Sequence, residues 1–204
     1  SSLDTYLTLW KQSQAKAVSN FGINGLAVEF EAVAPGELGN HLQLLVSRSA
    51  LPSGTTGNVV IEVPKDANGR TQNTILVELN SDPASPTTMA ELLVALQSNS
   101  DVNSLVRIKM LSGNIASEIG AVPTSYSPIQ LRGGKVELVA QNDNYFGKDS
   151  LMRLNLTSGI YFIGVSAAGN DRYNPLIANS GDGGRTEGAY DLRVTFRAES
   201  DIQD

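Results

Sequence analysis

The sequence predicts a mainly β protein: an antiparallel, jelly-roll-like β-sandwich accompanied by a small α+β region. Three observations lead there. Apolar and polar side chains alternate with period two in one segment after another, as strands with one buried and one wet face do. Clusters of Pro, Gly, Asn and Asp separate those segments. One stretch alone, opening at Thr88, carries convincing helical spacing.

In chain order, Leu3 to Trp10 alternates and is rich in β-formers, so it reads as a strand. Residues 11–24 are polar and ambiguous. Val28, Phe30 and Ala32 then alternate with Glu29 and Glu31. Further apolar faces follow at Leu42/Leu44/Val46, Val59/Ile61/Val63 and Ile75/Val77/Leu79. Pro35-Gly36, Pro52-Ser53-Gly54 and Asp66-Ala67-Asn68-Gly69 supply the turns between them, and Asn68-Gly69 suits a hairpin.

Thr88 and Glu91 have capping-box spacing, and Met89, Leu92, Leu93 and Leu96 fall on one helical face. The helix is expected over 88–97, with a further turn near 102–105 and a returning strand over 106–111. Residues 113–128 read as loop. The remaining strands are expected at 135–140, 150–156, 160–166 and 189–197. In the last, Tyr190, Leu192, Val194 and Phe196 face one way and Asp191, Arg193, Thr195 and Arg197 the other. Residues 199–204 form an acidic tail expected to be disordered.

Composition narrows the function. A formal charge of −6 with 15 scattered basic residues argues against nucleic acid, whose phosphates need clustered Lys and Arg. No apolar run approaches the roughly 20 residues of a membrane span. The chain has no cysteine, so disulfides and thiolate chemistry are out. Acidic, Gly- and Asn-rich composition leans towards an extracellular or cell-surface setting. His41 is the one histidine, expected to open a strand, and no Gly-x-Ser-x-Gly elbow accompanies it. Ser166 ends a strand instead of leading into a helix. Hydrolysis by a carboxylate pair has no positive support beyond the 21 acids present.

From Asn142 onward the order of motifs is more telling. It runs Asn142-Asp143-Asn144, Asp149-Ser150, Gly159-Ile160-Tyr161-Phe162-Ile163-Gly164-Val165-Ser166, Gly169-Asn170-Asp171-Arg172-Tyr173-Asn174-Pro175 and Gly188-Ala189-Tyr190-Asp191-Leu192. This series resembles the bacterial pre-peptidase C-terminal (PPC) type of β-sandwich, in the form carried by large planctomycete and cyanobacterial surface proteins. The strand that family places just before the Asn-Asp turn resembles Leu3-Asp4-Thr5-Tyr6-Leu7-Thr8-Leu9, far upstream here, and Gly133 to Ala140 resembles its returning half. The resemblance therefore implies a sandwich built from residues 1–11 and 134–204, interrupted at a hairpin tip by an α+β module at 12–133. A folded insert with close termini costs little loop entropy at such a tip. The module itself is similar to small α/β units of other surface proteins, through Ala32 to Asn40 and the Thr88-capped helix.

The resemblance implies a non-catalytic spacer, adhesion or targeting module that accompanies other domains of a larger parent protein. It also implies calcium, held by Asp4, Asn142, Asp143, Asn144 and Asp149, since hard cations gather oxygen ligands. The bland alternative is an Asx turn with Asp149 at a strand start. Asn170, Asp171 and Asp182 form a second acidic group, for which a tight glycine loop is the stronger reading. A carbohydrate- or matrix-binding role would use Tyr145, Phe146 and Tyr173, with Trp10 expected to pack between the two domains. PPC-like domains usually carry strands ahead of the Leu-Asp-Thr strand, so the resemblance implies either a sandwich cut short of those strands or one that another chain or segment completes.

Overall fold

The computed structural model of the chain describes residues 4–51, 58–119, 128–144, 147–177 and 180–197. The chain is mainly β. In order, the elements are β1 (Thr5–Ser13), β2 (Lys16–Ser19), β3 (Ala27–Ala32), a 3₁₀ helix (Gly36–His41), β4 (Gln43–Ser49), β5 (Val59–Glu62) and β6 (Thr74–Asn80). Then come α1 (Met89–Ser98), α2 (Ser100–Leu105), β7 (Val106–Ser112), β8 (Ile129–Gln130), β9 (Lys135–Asn142) and β10 (Ile160–Ala167). They fall into two compact units, Ser1–Lys11 with Glu137–Asp204, and Gln12–Val136.

The Gln12–Val136 unit holds two sheets, ordered β2-β3-β7 and β5-β6-β4-β8. Alternation dictates its burial. Val28, Phe30 and Ala32 are buried on β3, Leu44 and Val46 on β4, and Ile75, Val77 and Leu79 on β6. Each of the Val, Leu, Ile and Phe side chains so removed from water contributes about 1.5–3 kcal/mol. The sheets are largely antiparallel, but β4 and β6 run parallel, with Leu44 opposite Ile75 and Val46 opposite Val77.

The β5–β6 hairpin turns at 66–69. Asp66 Oδ1 accepts the N–H groups of Asn68 at 2.8 Å and Arg70 at 2.9 Å, and Gly69 takes a left-handed φ of 76°. Helix α1 starts at the expected capping box: Thr88 Oγ1 accepts from Glu91 N–H, and Glu91 Oε2 accepts from Thr88 N–H at 2.7 Å. Its Met89, Leu92 and Leu96 are fully buried in the same core. No described helix is long and apolar enough to cross a membrane.

Among the described residues, the other unit contains one sheet, ordered β10-β1-β9. Its described core is small, with Tyr6 and Leu9 as the buried apolar residues. Three expectations are corrected here. Residues 150–156 and 189–197 form no strand ladder, and they extend neither β9 nor β10. Alternation makes a segment able to pair, but a ladder needs an edge to pair with. Leu151, Leu154 and Leu156 accordingly stay exposed. His41 does not open a strand, because Pro35-Gly36 starts a 3₁₀ turn that ends on His41 itself. Residues 52–54, 145–146 and 199–204 lie outside the described residues.

Candidate cation site

The strand that organises the second unit is β1, central in its sheet. Asp4 lies immediately before it, and Ala167 ends its neighbour β10, so the loop leaving β10 meets Asp4 at once. Asp4 C=O accepts the Ala168 N–H at 2.8 Å, and Asp4 N–H donates to Thr186 Oγ1 at 3.0 Å. Ala168 C=O in turn accepts the Arg185 N–H at 3.2 Å. The chain thus returns over the Asp4 backbone twice, first at 168 and then at 185–186.

Glycine makes that double return possible. Gly169 and Gly183 adopt left-handed φ values of 91° and 88°. A Cβ on Gly169 would lie 2.8 Å from Gly183 O, so the two backbones touch directly. Asn170 is held beside them: its N–H donates to Ala167 C=O at 3.0 Å, and its C=O accepts Ser166 Oγ–H at 2.8 Å. Gly181 passes so close that a Cβ there would fall 2.3 Å from Asn170 Oδ1.

Two oxygens in this knot are left over. Asp4 Oδ1 and Asn170 Oδ1 are both buried and accept no hydrogen bond from another described residue. A buried acceptor without a donor is costly, and such atoms are uncommon in folded proteins.

The turn at 142–150 is tied to the same strand through hydroxyl and backbone groups. Thr5 N–H donates to Lys148 C=O at 3.1 Å, and Ser150 Oγ lies 2.5 Å from Thr5 C=O and 2.6 Å from Asp143 C=O, with one hydroxyl proton to share between them. Asn142 Oδ1 accepts the Leu151 N–H at 3.3 Å, while Asp143, Asn144 and Asp149 are exposed. Among the described residues, no three Asp, Glu or His side chains converge to hold a metal. The acidic turns still act on one common group. The Tyr6 hydroxyl is raised above the ordinary tyrosine value of 10.0, first by burial, then by the charges of Asp171 and Asp143.

The remaining candidate residues are accounted for by packing. Tyr173 is half-buried; its ring meets Trp10 edge-on at 5.8 Å, and its hydroxyl bonds Thr8 Oγ1. Tyr145 and Phe146 lie outside the described residues. His41 is exposed, and Ser166 Oγ is committed to Asn170. A cleft of about 460 Å³ opens in the Gln12–Val136 unit between β5 and α1. Its acid, Glu91, is engaged by the helix cap and by Asn58 Nδ2 at 3.0 Å.

Asn170 is the residue that sequence reasoning undervalued. Set in a glycine-rich stretch, it reads as turn chemistry, and only the fold brings it beside the start of β1. Comparison with family models, curated proteins and solved structures finds no match for the chain.

Proposed function

We propose that the chain is a non-catalytic, calcium-stabilised module of a secreted or cell-surface protein, acting as a spacer, adhesion or targeting unit beside other domains of its parent. On this reading, residues 1–11 and 134–204 form a PPC-like β-sandwich, and residues 12–133 are a module inserted at a hairpin tip. The observation that carries the cation is the pair of buried oxygens on Asp4 and Asn170 to which no described residue donates. Calcium takes oxygen ligands from carboxylates, amides and backbone carbonyls, and this donor set is all oxygen. Asp4 belongs to the set expected from sequence, and Asn170 joins it. Asp143 and Asp171, whose charges reach Tyr6, would add attraction for the ion.

The test is thermal unfolding of chelator-stripped protein with and without millimolar calcium. A ligand that binds only the folded state adds about 2.7 kcal/mol at 100-fold over Kd. For a chain of this size that raises Tm by roughly 5–10 °C. The shift is expected to fall by about half or more in Asp4→Asn, which keeps the side-chain shape and removes the charge. An equal calcium shift in wild type and Asp4→Asn would place the ion elsewhere.

A further inference from the structure

Residues 187–197 alternate as regularly as any strand of the fold, yet every one of them is exposed, and none shares a backbone hydrogen bond with another described residue. Tyr190, Leu192, Val194 and Phe196 are 55%, 47%, 46% and 86% exposed. Glu187, Asp191, Arg193 and Arg197 form no salt bridge with another described residue. A stretch of this kind is a template for strand addition.

Its charge pattern names the partner. We propose that residues 187–197 pair antiparallel with the same residues of a second copy of this chain, with Leu192 on the two-fold axis. In that register Asp191 stands opposite Arg193 of the second copy, and Glu187 opposite its Arg197. Symmetry makes each pair twice. On the other face Tyr190 meets Val194, Leu192 meets Leu192, and Phe196 lies across from Gly188. An aromatic ring over a cross-strand glycine covers backbone that would otherwise stay bare. Opposite charges and aromatic–aliphatic pairs at directly facing positions both favour a ladder.

The neighbouring registers that keep the same faces together are disfavoured by charge. Moving the axis half a residue towards the N-terminus, onto the 191–192 bond, would mix polar and apolar faces. A full step to Asp191 sets Asp191 against Asp191, and a full step to Arg193 sets Arg193 against Arg193. Like charges directly opposite are destabilising. Self-complementarity about Leu192 is therefore a property of this stretch that a strand built for an unrelated edge has no need of, and it gives the isologous contact that a two-fold dimer requires.

Sedimentation velocity on the full chain, over a hundredfold range of concentration, tests the proposal. The expected result is a concentration-dependent species of about twice 21.6 kDa. Asp191→Arg alone and Arg193→Glu alone should each weaken it tenfold or more, because like charges then face each other. Mixing the two single variants should restore a heterodimer, since each then presents the complement of the other. Both substitutions are at exposed positions, so folding is not at stake; circular dichroism on each variant checks this. A wild-type monomer at every concentration would overturn the proposal. So would a dimer indifferent to both variants, which would mean another surface pairs.

Discussion

Asn40 clasps Gly134 from both sides of one peptide residue: its Nδ2 donates to Gly134 C=O and its Oδ1 accepts Gly134 N–H, each at 2.9 Å. The contact joins the 3₁₀ helix to the approach to β9. It needs a glycine, because a Cβ at 134 would sit 2.0 Å from Gly36 O. Gly134→Ala should therefore destabilise the chain by roughly 3 kcal/mol, since backbone has to move. Asn40→Ala should cost about 1–3 kcal/mol through the two unmade bonds. Asn40→Asp keeps the acceptor but turns an oxygen towards Gly134 C=O, and should be no milder than Asn40→Ala. Denaturant unfolding of the three variants checks the order.

The capping box of α1 makes a second, smaller prediction. Thr88→Ala removes the acceptor for Glu91 N–H and should cost about 1 kcal/mol. Glu91→Ala removes the bonds to Thr88 N–H and to Asn58 as well, so it should cost more than Thr88→Ala. Urea midpoints at unchanged m-values would show it.

The helix and the Gln12–Val136 core were legible in the sequence for a plain reason. Val28/Phe30/Ala32 and Ile75/Val77/Leu79 each have one face fully buried, and burial is what alternation reports. The parallel pairing of β4 with β6 was not legible, since alternation carries no strand direction. Nor was β8, whose two residues offer too short a period. Residues 189–197 alternate just as strongly and still form no ladder, because pattern encodes the ability to pair and not the partner. Half of the candidate site shows the same divide. Asp4 stands out as an acid opening a strand, whereas Asn170 acquires meaning only where the glycine-rich return brings it to that strand.

Tyr6 predicts the pH dependence. Its hydroxyl is raised above 10.0, by burial first and by Asp171 and Asp143 next, so the folded state holds that proton more tightly than the unfolded chain. Stability from this group is intact below pH 10 and is lost as pH rises through the raised folded value. Tyr6→Phe should flatten that alkaline loss in a plot of unfolding free energy against pH. Calcium bound near the same acids should also flatten it, by offsetting the charges that raise the hydroxyl.

On the function proposed above, Asp4 and Asn170 hold one hard cation at the start of β1. Calorimetric titration of calcium into chelator-stripped protein tests it most directly, on wild type, Asp4→Asn and Asn170→Ala. One site per chain is expected in wild type, with affinity reduced about tenfold or more in each variant, each remaining folded by circular dichroism. No heat of binding in wild type, confirmed by equilibrium dialysis, or equal affinity in all three proteins, would contradict it.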